Sequence, residues 1–229
     1  MKYVYDASTS QWSPAADMLT ARAFHTATLL NSGQVLVTGG LTFDYAILST
    51  CELYDPITNK WNFAGNLTTP RESHTATLLD TGTVLVTSYV NTSEVYDPLT
   101  GEWTFSTSMK SDSRYYPTAN LLKTGEIIVI AGIQNGQYSC TTEVYDAYVS
   151  LWDITDSMAT KRISHTSVVL NSDQVLVTDG YGYLASSEIY DPITEQWTYA
   201  ALLSIAFHTV TLLDSGKVLI VGDEHIDFN

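Results

Sequence analysis

All five tryptophans of this chain close copies of one ten-residue pattern, and that periodicity constrains the fold more than any other feature. The clearest copy is Glu188-Ile189-Tyr190-Asp191-Pro192-Ile193-Thr194-Glu195-Gln196-Trp197. It recurs as Glu52–Trp61, Glu94–Trp103 and Glu143–Trp152, with a worn copy at Tyr3–Trp12. A residue type confined to one place in a repeat has the same structural task each time. A period of roughly 20–50 residues marks solenoids, propellers or arrays, whose units bury their apolar faces against one another.

Each repeat holds four short segments with strand chemistry. In the first complete copy these are Arg22–Leu30, Gln34–Thr38, Cys51–Tyr54 and Lys60–Phe63. They are rich in Val, Leu, Thr, Tyr and Trp, and too short and too tightly punctuated for helices. Asn31-Ser32-Gly33 turns the first into the second, with Gly82, Gly125, Asp173 and Gly216 at the aligned place in the other copies. Asp55-Pro56 turns the third into the fourth: an Asp side chain followed by a preset φ favours a type I turn. Gly101 supplies a left-handed position on the way out of one such turn. Both turns make hairpins, so each repeat is an antiparallel four-stranded meander. The length differences between repeats sit mainly in the loop between second and third strands, which implies a rigid frame with one variable loop.

An Arg-x-x-His near the first strand, Gly39-Gly40 closing the second, then Glu-x-Tyr-Asp-Pro-x-Thr and Trp together resemble the kelch repeat. That resemblance implies an all-β fold, a β-propeller of four-stranded antiparallel blades. The diglycine is intact only at Gly39-Gly40; Ser88-Tyr89, Ala131-Gly132, Asp179-Gly180 and Gly222-Asp223 depart from it. The expected layout is a single domain over residues 1–229, with whole blades at about 20–64, 69–106, 112–155 and 160–200. A fifth, composite blade would join residues 1–15 to 204–223 and cover two sheet edges. The alternative is an arc of a larger ring.

The bulk numbers exclude some functions. Apolar content of 45% supports a proper core, and charged content of 15% is low. A net charge of −15, from 25 acidic and 10 basic residues, opposes nucleic-acid binding and docking on anionic lipid. No stretch has the apolar length of a signal peptide or membrane span, so the chain reads as soluble without membrane insertion. Cys51 and Cys140 sit at different offsets in different repeats and are expected to be small unpaired thiols.

Four side-chain sets could carry chemistry. Every arginine, Arg22, Arg71, Arg114 and Arg162, occupies one repeat position, and Glu52, Glu94, Glu143 and Glu188 occupy another. The composite blade lacks both, with Ile205 and Tyr3 in their places, which points to Arg–Glu pairing within a blade. The kelch resemblance implies instead that these arginines line the channel mouth and contact carboxylates of an acidic peptide. Phe43, Tyr45, Tyr89, Tyr138, Tyr181 and Tyr183 fall in the variable loops, with Tyr115 and Tyr116 beside Arg114. Tyrosine gives large contact area at low entropic cost, which suits a protein, peptide or glycan partner. His25, His74, His165 and His208 share a position in separate blades and are expected to bond to backbone on their first strands rather than converge on a metal.

No nucleophile elbow, phosphate-cradling loop or paired-cysteine metal site is present. The sequence therefore favours a non-catalytic binding scaffold without a cofactor. The alternatives are an enzyme on the same frame, resembling a carbohydrate oxidase such as galactose oxidase or an isomerase, and a purely architectural module.

Overall fold

The computed structural model describes residues 3–181, 186–202 and 206–223. Among them are only strands and turns. The chain begins with β1 (Tyr3–Asp6) and β2 (Gln11–Pro14), which pair with each other. Four larger antiparallel sheets follow. The first is β3 (Thr26–Leu29), β4 (Val35–Thr38), β5 (Thr50–Asp55) and β6 (Lys60–Asn66). The second is β7 (Thr75–Leu78), β8 (Val84–Ser88), β9 (Val90–Asp97) and β10 (Glu102–Phe105). The third has a split first strand, β11 (Arg114–Tyr115) and β12 (Thr118–Leu121), then β13 (Ile127–Gln134), β14 (Gln137–Asp146) and β15 (Leu151–Thr155). The fourth is β16 (Thr166–Val169), β17 (Val175–Thr178), β18 (Ser187–Asp191) and β19 (Gln196–Tyr199). A last hairpin joins β20 (Ala206–Leu212) to β21 (Val218–Asp223).

First strands of successive sheets lie side by side, β3 by β7, β7 by β12, β12 by β16 and β16 by β20. The four sheets are thus blades of a β-propeller, packed face to face around the first strands. Second strands are sandwiched on both faces, which is why they read as unbroken apolar runs rather than alternating ones. Ile127, Ile128, Val129 and Ile130 are all fully buried. Fourth strands lie outermost, and Phe63, Phe105, Ile154 and Tyr199 on them are exposed.

The core is a set of seams. Leu36, Cys51 and Ala64 of the first blade pack against Val84, Val86 and Tyr96 of the second. Leu85 and Met109 meet Ile127, Val129, Tyr145 and Trp152 at the next seam. Ile128, Ile130 and Met158 meet Val175, Val177 and Tyr190 at the third. Each repeat tryptophan packs at a tilt against its tyrosine, at 5.0 Å between ring centres for Tyr96–Trp103 and for Tyr145–Trp152. Indole N–H groups tie blades together: Trp103 donates to the Ala64 carbonyl at 2.8 Å and Trp152 to Ser93 Oγ at 3.1 Å.

The hairpin turns follow the expected chemistry. Asp55 Oδ1 accepts the Ile57 N–H at 2.8 Å, as Asp97 does from Leu99 and Asp191 from Ile193. The fifth turn position is left-handed whether glycine fills it or not: φ is 74° at Gly101, 52° at Asn59 and 57° at Glu195. The worn diglycines also keep the conformation, with φ of 75° and 70° at Ser88 and Tyr89. At Gly39 the reason is close packing, since a Cβ there would sit 2.3 Å from the Arg71 carbonyl oxygen of the next blade.

One expectation needs revision in detail. The first strand does not run from Arg22: Phe24 is left-handed, at φ 53°, and the ladder starts only at Thr26. In the third blade Tyr116 does the same, at φ 53°, and splits β11 from β12. No ladder joins β1 to β21 among the described residues; Ile205 and Ser204 of the composite-blade reading lie outside them.

Candidate functional site

The four arginines are placed by the turn that breaks each first strand. Each side chain is fully buried and spans its own blade. Arg71 is representative. Its Nη1 donates to the carbonyls of Ser88 and Thr92, at 2.9 and 2.7 Å, and its Nη2 to Thr92 Oγ1 and Glu94 Oε1, at 2.9 and 3.1 Å. Arg22–Glu52, Arg114–Glu143 and Arg162–Glu188 repeat the ion pair at 2.6, 3.0 and 2.9 Å.

The carboxylates have a second task. Glu94 accepts the N–H groups of Thr68 and Thr69, which anchors the connection leading into its blade. Glu52 does this for Leu19 and Thr20, and Glu188 for Ala159 and Thr160. Burial lowers the pKa of Arg71 and Arg114, and the partner glutamates oppose that fall. A buried pair this well bonded is justified by its hydrogen bonds rather than by attraction alone. The Arg–Glu pairing inferred from their joint absence in one repeat is what the geometry displays. Both Nη atoms of every arginine are engaged within the blade, so none of these groups presents a free fork to an acidic ligand.

Three of the histidines, His74, His165 and His208, bridge seams through threonine hydroxyls of the preceding blade. His74 Nε2 lies 2.8 Å from Thr38 Oγ1 and 3.2 Å from Thr26 Oγ1 of the preceding blade. His208 repeats this with Thr178 and Thr166, and His165 with Thr118. Burial, with Arg71 and Arg162 nearby, pushes His74 and His165 down to about 3. His25 faces a cavity of about 410 Å³ lined also by Tyr3, Val4, Met18, Val37 and Trp61.

A copper centre would need several such donors to converge on one point. No three His, Cys, Asp or Glu side chains converge among the described residues. The described histidines sit in separate blades. Cys51 is a buried thiol pushed up to about 12 by desolvation, and Cys140 is a second free thiol in another blade. These groups do not fit a copper centre.

The aromatic candidates divide into two groups. Two pairs bridge neighbouring blades on the side of the variable loops. Tyr89 and Tyr115 meet edge to face at 5.1 Å, and Tyr138 and Tyr181 at 6.3 Å. Phe43 is fully exposed and Tyr45 nearly so, both on the first blade's loop. Tyr116 is 44% exposed and its N–H reaches the Ser73 carbonyl at 3.2 Å. Tyr183 lies outside the described residues.

Two residues of this face escaped the sequence reading. Phe24 is exposed, and its carbonyl accepts the N–H of Ser73. Phe24, Ser73, Tyr116 and Ser164 share one repeat position and are all left-handed, with φ from 50° to 53°. Aligning the repeats two places after each arginine would have exposed that set. The other is Glu72, which accepts from Ser73 Oγ at 2.8 Å beside Tyr89.

Residues 21–68 match the family model described as Kelch motif. Among solved structures the chain is similar to a novel fungal alcohol oxidase with catalytic diversity among the AA5 family, in complex with copper. The two superpose with a TM-score of 0.77 at 16% identity, over 94% of this chain and 52% of that one. This chain thus spans about half the length of that structure, and the likeness is one of fold. No curated protein matches the sequence. The chain carries a kelch motif, and its fold is a kelch-type β-propeller of four-stranded antiparallel blades.

Proposed function

We propose that this protein is a non-catalytic binding scaffold that takes a protein, peptide or glycan partner on the loop face of its blades. The observation that carries the reading is the pair of cross-blade tyrosine contacts, Tyr89–Tyr115 and Tyr138–Tyr181, on a frame whose repeated charges are internally engaged. Aromatic pairs held by two blades are preorganised, so little side-chain entropy is lost on contact with a partner. In this reading Arg22, Arg71, Arg114 and Arg162 hold the face in shape, and Phe43, Tyr45, Tyr116 and the paired tyrosines meet the ligand. The dispersed histidines and buried Cys51 support a binding role over copper-dependent oxidation.

A combined peptide and glycan array tests this. Hits that vanish in Tyr138→Ala and Tyr181→Ala, with melting unchanged, are the expected result. Hits insensitive to every loop tyrosine would overturn the reading, as would a copurifying metal with oxidase turnover.

A further inference from the structure

We propose that the loop face between the second and third blades holds a site for an organic cation, the ammonium or guanidinium of a lysine- or arginine-bearing peptide. This names a partner for the binding face and rests on that reading. Two tyrosine rings and one carboxylate lie together at the junction, with a third tyrosine next in the chain. Tyr89 and Tyr115 contact edge to face, and Tyr89 N–H donates to the Arg114 carbonyl at 2.6 Å, which ties the second blade's loop to the third blade. Tyr116 follows directly, exposed, with its backbone bonded to Ser73. Ser73 Oγ in turn holds Glu72 Oε2.

The electrostatics of this corner are one-sided. Arg71 and Arg114 are its neighbours in sequence, but each is wholly buried and bonded to Glu94 or Glu143. Among the described residues no lysine or arginine pairs with Glu72, whose carboxylate is half-buried and held only by the Ser73 hydroxyl. Its charge reaches the neighbouring ring: after burial and Tyr115, Glu72 is a further cause of the raised Tyr89 pKa. A half-buried carboxylate beside clustered aromatic rings recognises a cation twice, through charge and through the negative ring faces. A net charge of −15 draws such a partner in and repels an acidic one. The ligand charge is therefore opposite to the one the arginine positions suggested from sequence.

The experiment titrates the intact chain at low salt with three uncharged-backbone octapeptides, lysine-bearing, arginine-bearing and glutamate-bearing, and with a neutral oligosaccharide. Binding of the cationic peptides is expected, weakened on the order of tenfold by Glu72→Gln or Tyr115→Ala. Asp214→Asn removes the same charge from an exposed turn and should leave affinity unchanged. Equal weakening by Glu72→Gln and Asp214→Asn would mean diffuse attraction and overturn the site. Preference for the glutamate peptide would overturn it as well. Binding of the neutral sugar alone, lost in Tyr138→Ala but not in Glu72→Gln, would sink this inference while leaving the binding face standing.

Discussion

Arg71 and Glu72 are adjacent in the chain and belong to different parts of the molecule. Arg71 is buried, with four hydrogen bonds inside its blade, one of them its ion pair with Glu94. Glu72 is half-buried on the loop face, bonded only to the next residue's hydroxyl. The contrast holds along each repeat. Arg, Glu and His recur at fixed positions and are consumed by the frame. Glu72, Tyr115 and Tyr138 differ from their repeat-mates and are left at the surface. In this chain, then, recurrence marks packing, and the residues proposed for recognition are ones that depart from it. This inverts the habit of reading a recurring charged residue as the site.

The sharpest way to break this comparison is to remove a recurring residue. Trp152 is almost wholly buried between the second and third blades, so Trp152→Ala should cost about 3–5 kcal/mol in chemical denaturation. Trp103→Ala, at a half-buried copy, should cost less. Equal, near-zero effects would move the tryptophans from the frame to the surface set.

Acid titration probes the seams with a smaller effect. His74 and His165 are neutral in the folded protein, with pKa values pushed down to about 3, and titrate near 6.5 when unfolded. The unfolded chain therefore binds more protons below that value. Their contribution is complete above pH 6.5 and falls toward pH 3 by about 1.4 kcal/mol per unit for each group. Urea midpoints at pH 7, 6 and 5 should decline, less steeply in His74→Asn. Parallel slopes in the two proteins would deny that the seam holds a neutral histidine.

The smallest effect has the opposite sign. Ser88 stands where the first blade has Gly39; it is left-handed, and its buried hydroxyl has no partner. Ser88→Gly should stabilise by about 1 kcal/mol. Destabilisation would mean that the serine contributes something the glycine copies lack.

Much of this architecture is written in local chemistry. Asp-Pro turns, aligned glycines and the Tyr-to-Trp spacing specify hairpins whose register the packing merely confirms, as in Tyr54 opposite Trp61. The Arg–Glu pairing was legible because both residues vanish together from the worn repeat. What could not be read were conformations that override residue preference. Nothing in Phe24 or Tyr116 announces a left-handed backbone, yet both adopt it because the entry to the first strand must turn toward the neighbouring blade. Nor does the sequence tell which loop tyrosines meet. Tyr89 and Tyr115 lie on different blades, and only the seam brings them together.

The central claim, that recurring charges belong to the frame, is tested most directly by a double-mutant cycle on Arg71 and Glu94. Each alanine substitution alone should destabilise by about 3–5 kcal/mol, because it strands a buried charge. The double variant should cost far less than the sum, with coupling of about 2 kcal/mol or more. Additive losses would contradict the account and return the four arginines to the ligand site.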